Sequence, residues 1–209
     1  MKSNALHEIC YLIERYPQLQ PCKEDILKAT EILIKSYQAG GKLLIAGNGG
    51  SASDSLHIVG ELMKGFCNPR KINDELREKI GDEELSNVLQ YGLPAISLCS
   101  ETALFTAFLN DQSADAVFAQ GVLGYGKKED ILLLISTSGN SSNCVKAMKV
   151  AKALGIKVIA LTGKKDSKLS EGADVTIKAS ETETYKIQEL HLPIYHAICL
   201  ALEQEFFGE

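Results

Sequence analysis

His57 and Glu61 stand four residues apart in the stretch GNGGSASDSLHIVGE, residues 47–61, directly behind a glycine-rich corner. On a helix that spacing is a rotation of roughly 40°, so imidazole and carboxylate share a face, with Asp54 on the same side one turn earlier. Such a pair can bind a metal together or act as an acid–base couple, and in isolation it is more often a surface hydrogen bond. Here the helix grows out of the corner itself, which puts the pair within a few turns of whatever the corner binds. A second cluster lies in ETETYKIQELHLPIYHAICL, residues 181–200, where Gln188, His191 and His196 punctuate an apolar run. Gln188 and His196 are about 80° apart on an ideal helix, so both can face one cleft. His191 reads as a hydrogen-bonded core histidine.

Two loops have the composition of anion sites. One is Gly47-Asn48-Gly49-Gly50-Ser51; the other is Ser136-Thr137-Ser138-Gly139-Asn140-Ser141. Each stands between an apolar run and a helical stretch, where free backbone amides and the helix dipole favour a negative charge. The serine-rich loop adds hydroxyl donors and contains no lysine or arginine. That suits a phosphate monoester held by neutral donors better than a triphosphate clamped by lysine. Ser, Thr and Asn also cap helices and make turns for local reasons, so one loop alone decides little. Two, after different strands, favour phosphate. GNGGSA matches one version of the dinucleotide fingerprint, but that motif needs an acid at the end of the next strand, about twenty residues on. The next apolar run ends far later, at Cys99, with Glu101 the nearby acid.

Five apolar runs must position these groups: 42–47, 94–99, 130–136, 157–162 and 174–179. They are apolar almost throughout, as strands buried on both faces of a parallel sheet are. Amphipathic stretches alternate with them, so the pattern predicts a doubly wound α/β fold, a five-stranded parallel sheet in a flavodoxin-like three-layer sandwich. Residues 141–155 form a crossover helix ending at Gly155. The expectation is one domain, 1–209, with two helices in 1–40 and a C-terminal helix over 185–207. Pro193 should kink that last helix near Glu189. The charged, acid-rich segment 67–93 is long for a connection. It reads as a solvated excursion or, alternatively, as a lid or interface element beside the His57 helix.

Composition narrows the classes. A formal charge of −5 offers no clustered cation surface for nucleic acid. No apolar run is long enough to span a bilayer, and the amphipathic N-terminus reads as a helix of the domain, not a signal peptide. Six cysteines without CxxC spacing suggest free thiols in a reducing cytoplasm.

The order GNGGSASD–x2–H–x3–E, then Asn110-Asp111, then STSGNS, then IQE–x6–H resembles the phosphoheptose isomerases, enzymes of the sugar isomerase (SIS) domain class. The resemblance spans nearly the whole chain. It implies isomerisation of sedoheptulose 7-phosphate, the first step of nucleotide-activated heptose synthesis for lipopolysaccharide or capsule. By the same resemblance Asn48, Gly49, Gly50, Ser51, Glu61, Asn110, Asp111, Ser136, Thr137, Ser138, Ser141 and Gln188 bind the substrate. His57, Glu61, Gln188 and His196 match the family's zinc-site residues, with Glu61 and His196 the acid–base candidates. It also implies a homotetramer with sites shared between subunits. Some members carry an aspartate three residues before the glutamine; this chain has Tyr185 there, with Glu183 close by in sequence. Two other readings stay open. One is a non-catalytic SIS protein that binds sugar phosphate or a replication initiator; the other is an isomerase of a different sugar phosphate.

Overall fold

The computed structural model describes residues 1–208; Glu209, the last residue of the expected domain, lies outside the described residues. All five apolar runs form strands: β1 (Leu43–Gly47), β2 (Ala95–Ser97), β3 (Ile131–Ile135), β4 (Lys157–Thr162) and β5 (Val175–Lys178). They pair in parallel in the order β2-β1-β3-β4-β5. β1 and β3 are buried at every position, which explains their unbroken apolar sequence. Alternate residues serve opposite faces. Ile45, Leu133 and Ile159 enter one core cluster, whereas Leu44, Leu132 and Val158 enter the other.

The first face carries α1 (Ser3–Arg15), α2 (Lys23–Gln38), α3 (Gly50–Leu62) and α10 (Thr184–Phe207). The second carries α7 (Val117–Tyr125) and α8 (Ser142–Ala153). The remaining helices are α4 (Asp74–Ile80), α5 (Glu83–Val88), α6 (Thr102–Asp111) and α9 (Lys168–Gly172). α8 stops as its sequence demands, with Gly155 at φ +75° closing it. α10 runs as one helix across Pro193, so the proline removes a bond to the Glu189 carbonyl without ending the helix.

Segment 67–93 has two characters. α4 buries no side chain and α5 buries only Ser86, a solvated tip in keeping with its charge. Its root is different: Arg70 is fully buried and ion-paired with buried Glu203 of α10. A bridge between Lys71 and Gln90 closes the base of the excursion.

Strand order reverses between β1 and β3, and ligand crevices of open α/β sheets lie beyond the carboxyl ends of the strands at that point. Gly47 and Ile135 are register partners there, so the glycine corner and the serine loop leave the sheet side by side.

Candidate active site

The corner after β1 works because its glycines do. Gly49 adopts φ +58°, a backbone conformation that side chains disfavour. A Cβ on Gly50 would collide with the side-chain amide of Gln188, so α10 lies directly over the start of α3. The serine loop bonds within itself. The hydroxyls of Ser136 and Ser141 meet at 3.0 Å, and the Asn140 backbone N–H donates to Ser138 Oγ at 3.2 Å. The glycine corner is tied to the first turn of α8, directly behind the serine loop, by a reciprocal amide pair. Asn48 Nδ2 donates to Asn143 Oδ1 at 3.0 Å, and Asn143 Nδ2 donates to Asn48 Oδ1 at 2.8 Å. Asn143 was not legible as a site residue, since it sits on α8 and its partner is 95 residues away in the chain.

A cavity of about 220 Å³ opens beside the serine loop, walled by Thr137, Ser138 and Asn140 on one side and Lys164 and Lys165 on the other. The lysines follow β4. Asp166 and Glu181 line the same cavity, so its charges are mixed and the case for an anion rests on the loop's neutral donors.

The proton-moving groups converge between α3 and α10. His57 Nε2 lies 3.2 Å from Glu61 Oε1 and 3.3 Å from His196 Nε2. Gln188 meets the first turn of α3 and His196 its second, so two groups on one side of α10 face one helix, as their spacing predicts. The other oxygen of Glu61 meets exposed Lys64 at 3.2 Å. Burial first, and then the neighbouring His57, push the pKa of His196 below the usual histidine value, with Glu61 pulling the opposite way. A neutral imidazole follows, able to accept a proton or donate a lone pair. Below this cluster, Arg70 donates to the carbonyls of Leu62 at 2.6 Å and Glu61 at 3.3 Å, capping α3, while its Nε donates to Glu203 at 2.9 Å. Glu203 also accepts the amides of Phe66, Cys67 and Asn68. Burial opposes its ionisation, but these amides and Arg70 outweigh burial and hold its pKa below the ordinary carboxylate value.

Asn110 and Asp111, expected to bind the substrate, are not gathered here, and neither Tyr185 nor Glu183 takes the place of the aspartate some relatives carry. Asn110 and Asp111 end α6, exposed and bonded to each other at 2.8 Å. Tyr185 is exposed with the Lys186 ammonium over its ring, and Glu183 pairs with Lys186 at 3.3 Å. His191 keeps the expected core role. It is buried, and its Nε2 meets the Thr162 carbonyl at 3.2 Å.

Tetrahedral zinc with bonds of about 2.0–2.1 Å sets neighbouring donors roughly 3.3–3.4 Å apart. The His57–Glu61 and His57–His196 spacings, 3.2 and 3.3 Å, come close to that edge, and imidazole and carboxylate are donors zinc accepts. Both pairs share His57, and among the described residues no group of three His, Cys, Asp or Glu closes into a metal site.

Paired phosphate-type loops at the switch point, with an acid–base helix growing from one of them, define a SIS-domain protein, and the SIS domain family model matches residues 103–202. Phosphoheptose isomerase of Aliarcobacter butzleri (strain RM4018) is 35% identical over 187 residues, covering 90% of this chain and 88% of that one. That of Helicobacter pylori (strain P12) is 37% identical over 188 residues, with the same coverage, 90% and 88%. The chain belongs to the phosphoheptose isomerase family. Among solved structures, phosphoheptose isomerase from Neisseria gonorrhoeae superposes with a TM-score of 0.74 at 30% identity, covering 93% of this chain and 96% of that one. The enzyme from Francisella tularensis gives 0.72 at 30% identity, covering 95% and 93%.

Proposed function

We propose that the protein is an aldose–ketose isomerase that interconverts sedoheptulose 7-phosphate and D-glycero-D-manno-heptose 7-phosphate, supplying nucleotide-activated heptose synthesis. The observation that carries this reading is the meeting of Glu61 and His196 on His57, at 3.2 and 3.3 Å, beside two loops suited to phosphate. Ketose–aldose exchange moves a proton from C1 to C2 and a second proton between the two oxygens, through a cis-enediol(ate). One base and one imidazole suffice for this if the sugar is fixed.

Ser136, Thr137, Ser138 and Ser141 grip the phosphate. Asn48, Gly49, Gly50 and Ser51 border the sugar, and Gln188 reaches it from α10. Glu61 takes the carbon proton and returns it to the neighbouring carbon. Its Oε1 faces His57, while Oε2 meets only an exposed lysine that water readily replaces, so Oε2 is the oxygen free to act. Neutral His196 moves the oxygen protons. In a partly competing account, His57, Glu61, Gln188 and His196 would hold one zinc per subunit, which would supply Lewis-acid polarisation of the substrate oxygens, because a carboxylate that ligates a metal is no longer a free base.

The exposed end of α6 leaves Asn110 and Asp111 available to a neighbouring subunit, in keeping with a homotetramer that shares its sites. The cysteines are free, which supports a reducing cytoplasm. No described helix is long and apolar enough to cross a membrane.

The test is a panel of ketose phosphates incubated with purified protein, with and without chelator, following aldose formation. Conversion of sedoheptulose 7-phosphate ahead of pentose and hexose phosphates is expected. Turnover of a shorter sugar instead would reassign the substrate. Inert protein that captures a replication initiator would replace the enzyme by a binding module.

A further inference from the structure

Tyr195 stands between Asp54 and His57. Its hydroxyl lies 3.2 Å from Asp54 Oδ1 and 3.0 Å from His57 Nδ1. We propose that Tyr195 and Asp54 are positioning residues that set the tautomer of His57, keeping its proton on Nδ1 and its Nε2 lone pair turned toward Glu61 and His196.

The argument is a count of protons. An ionised carboxylate only accepts, and a tyrosyl hydroxyl has one proton to give. The hydroxyl therefore donates to Asp54, and its oxygen accepts from His57 Nδ1–H. A neutral imidazole carries one N–H, so Nε2 is left bare. That bare nitrogen faces Glu61 Oε1 at 3.2 Å and His196 Nε2 at 3.3 Å. The lone pairs of His57 Nε2 and Glu61 Oε1 repel one another at this separation, and His196 Nε2 either donates to His57 or adds a further lone pair according to its own tautomer, so the centre suits a proton or a cation. The reverse tautomer would fill that centre with the His57 proton and satisfy Glu61 by a simple hydrogen bond. Packing holds the device in place. Tyr195 is only 2% exposed, and its ring stands edge-on to His57 at 5.5 Å and to His196 at 5.0 Å between centroids.

The tautomer stands without the metal reading; the effect on zinc rests on it. In metal-free, nitrogen-15-labelled protein at about pH 8, above the ordinary histidine range, imidazole nitrogen shifts report which nitrogen of His57 is protonated. Wild type should show Nδ1–H, and Tyr195→Phe, which keeps the packed ring, should shift His57 toward Nε2–H. An Nε2–H tautomer in wild type, or no change in the variant, would overturn the proposal. Zinc alone, titrated against a competing chelator, should bind Tyr195→Phe and Asp54→Asn about 10–100-fold more weakly than wild type, the usual effect of losing a group that orients a ligand. Equal affinities would count against it. Wild-type protein that neither binds zinc nor isomerises a ketose phosphate would sink the functional reading, while the imidazole spectrum still decides the tautomer.

Discussion

Glu61 and His196 are joined through His57, and the proposed chemistry divides between them. Replacing Glu61 by Gln removes the base while keeping its size, so kcat should fall by at least about 10²–10⁴. His196→Asn should cost a similar factor. Binding of the sugar phosphate, measured by calorimetry, should persist in both variants; near-wild-type turnover in both would end the assignment. Gly50→Ala is the complementary change. Its Cβ would run into the Gln188 amide, which must then leave its place over α3, so turnover should drop although neither proton carrier is touched. The shared faces of His57 with Glu61 and of Gln188 with His196 were legible because helical periodicity converts spacing into position on a helix. Tyr195 was not legible, because an aromatic residue on an apolar helix is ordinary core filling until its hydroxyl is seen between two polar groups.

α3 and α10 run alongside one another, and contacts recur along their length. Gly50 meets Gln188, His57 meets Tyr195 and His196, and the end of α3 reaches Glu203 through Arg70. The buried Arg70–Glu203 pair therefore fixes the relative placement of the helices that carry Glu61 and His196. Arg70→Met strands a buried carboxylate and two capped carbonyls, and should cost about 3–5 kcal/mol in chemical denaturation. Replacing both partners, Arg70→Met with Glu203→Leu, should recover part of that stability, because the second change removes the unpaired charge. A double variant no more stable than Arg70→Met would show that Glu203 serves mainly through the amides of residues 66–68. The helix over 185–207 was readable from its apolar run. Arg70 was not: it sits in a stretch whose composition says solvent, and its partner is 133 residues away in the chain.

At the scale of the whole molecule, His191 couples stability to pH. Burial lowers its pKa from 6.5 to about 4, only partly offset by its bond to the Thr162 carbonyl. The folded state thus holds it neutral while the unfolded chain takes up a proton. Its contribution is complete above about pH 6.5 and is lost as pH falls toward 4, about 3 kcal/mol in all. Urea unfolding at a series of pH values should show this loss in wild type and a flatter profile in His191→Gln; parallel profiles would refute it. The five strands, the crossover helix and the two loops were determined by the sequence alone, because burial on both faces and glycine punctuation are local signals. The switch point between β1 and β3, the Asn48–Asn143 clasp, the lysines across from the serine loop and the buried root of 67–93 were decided only by tertiary structure. Each depends on chain segments that meet through sheet pairing or core packing, and no local pattern records which distant segment will arrive.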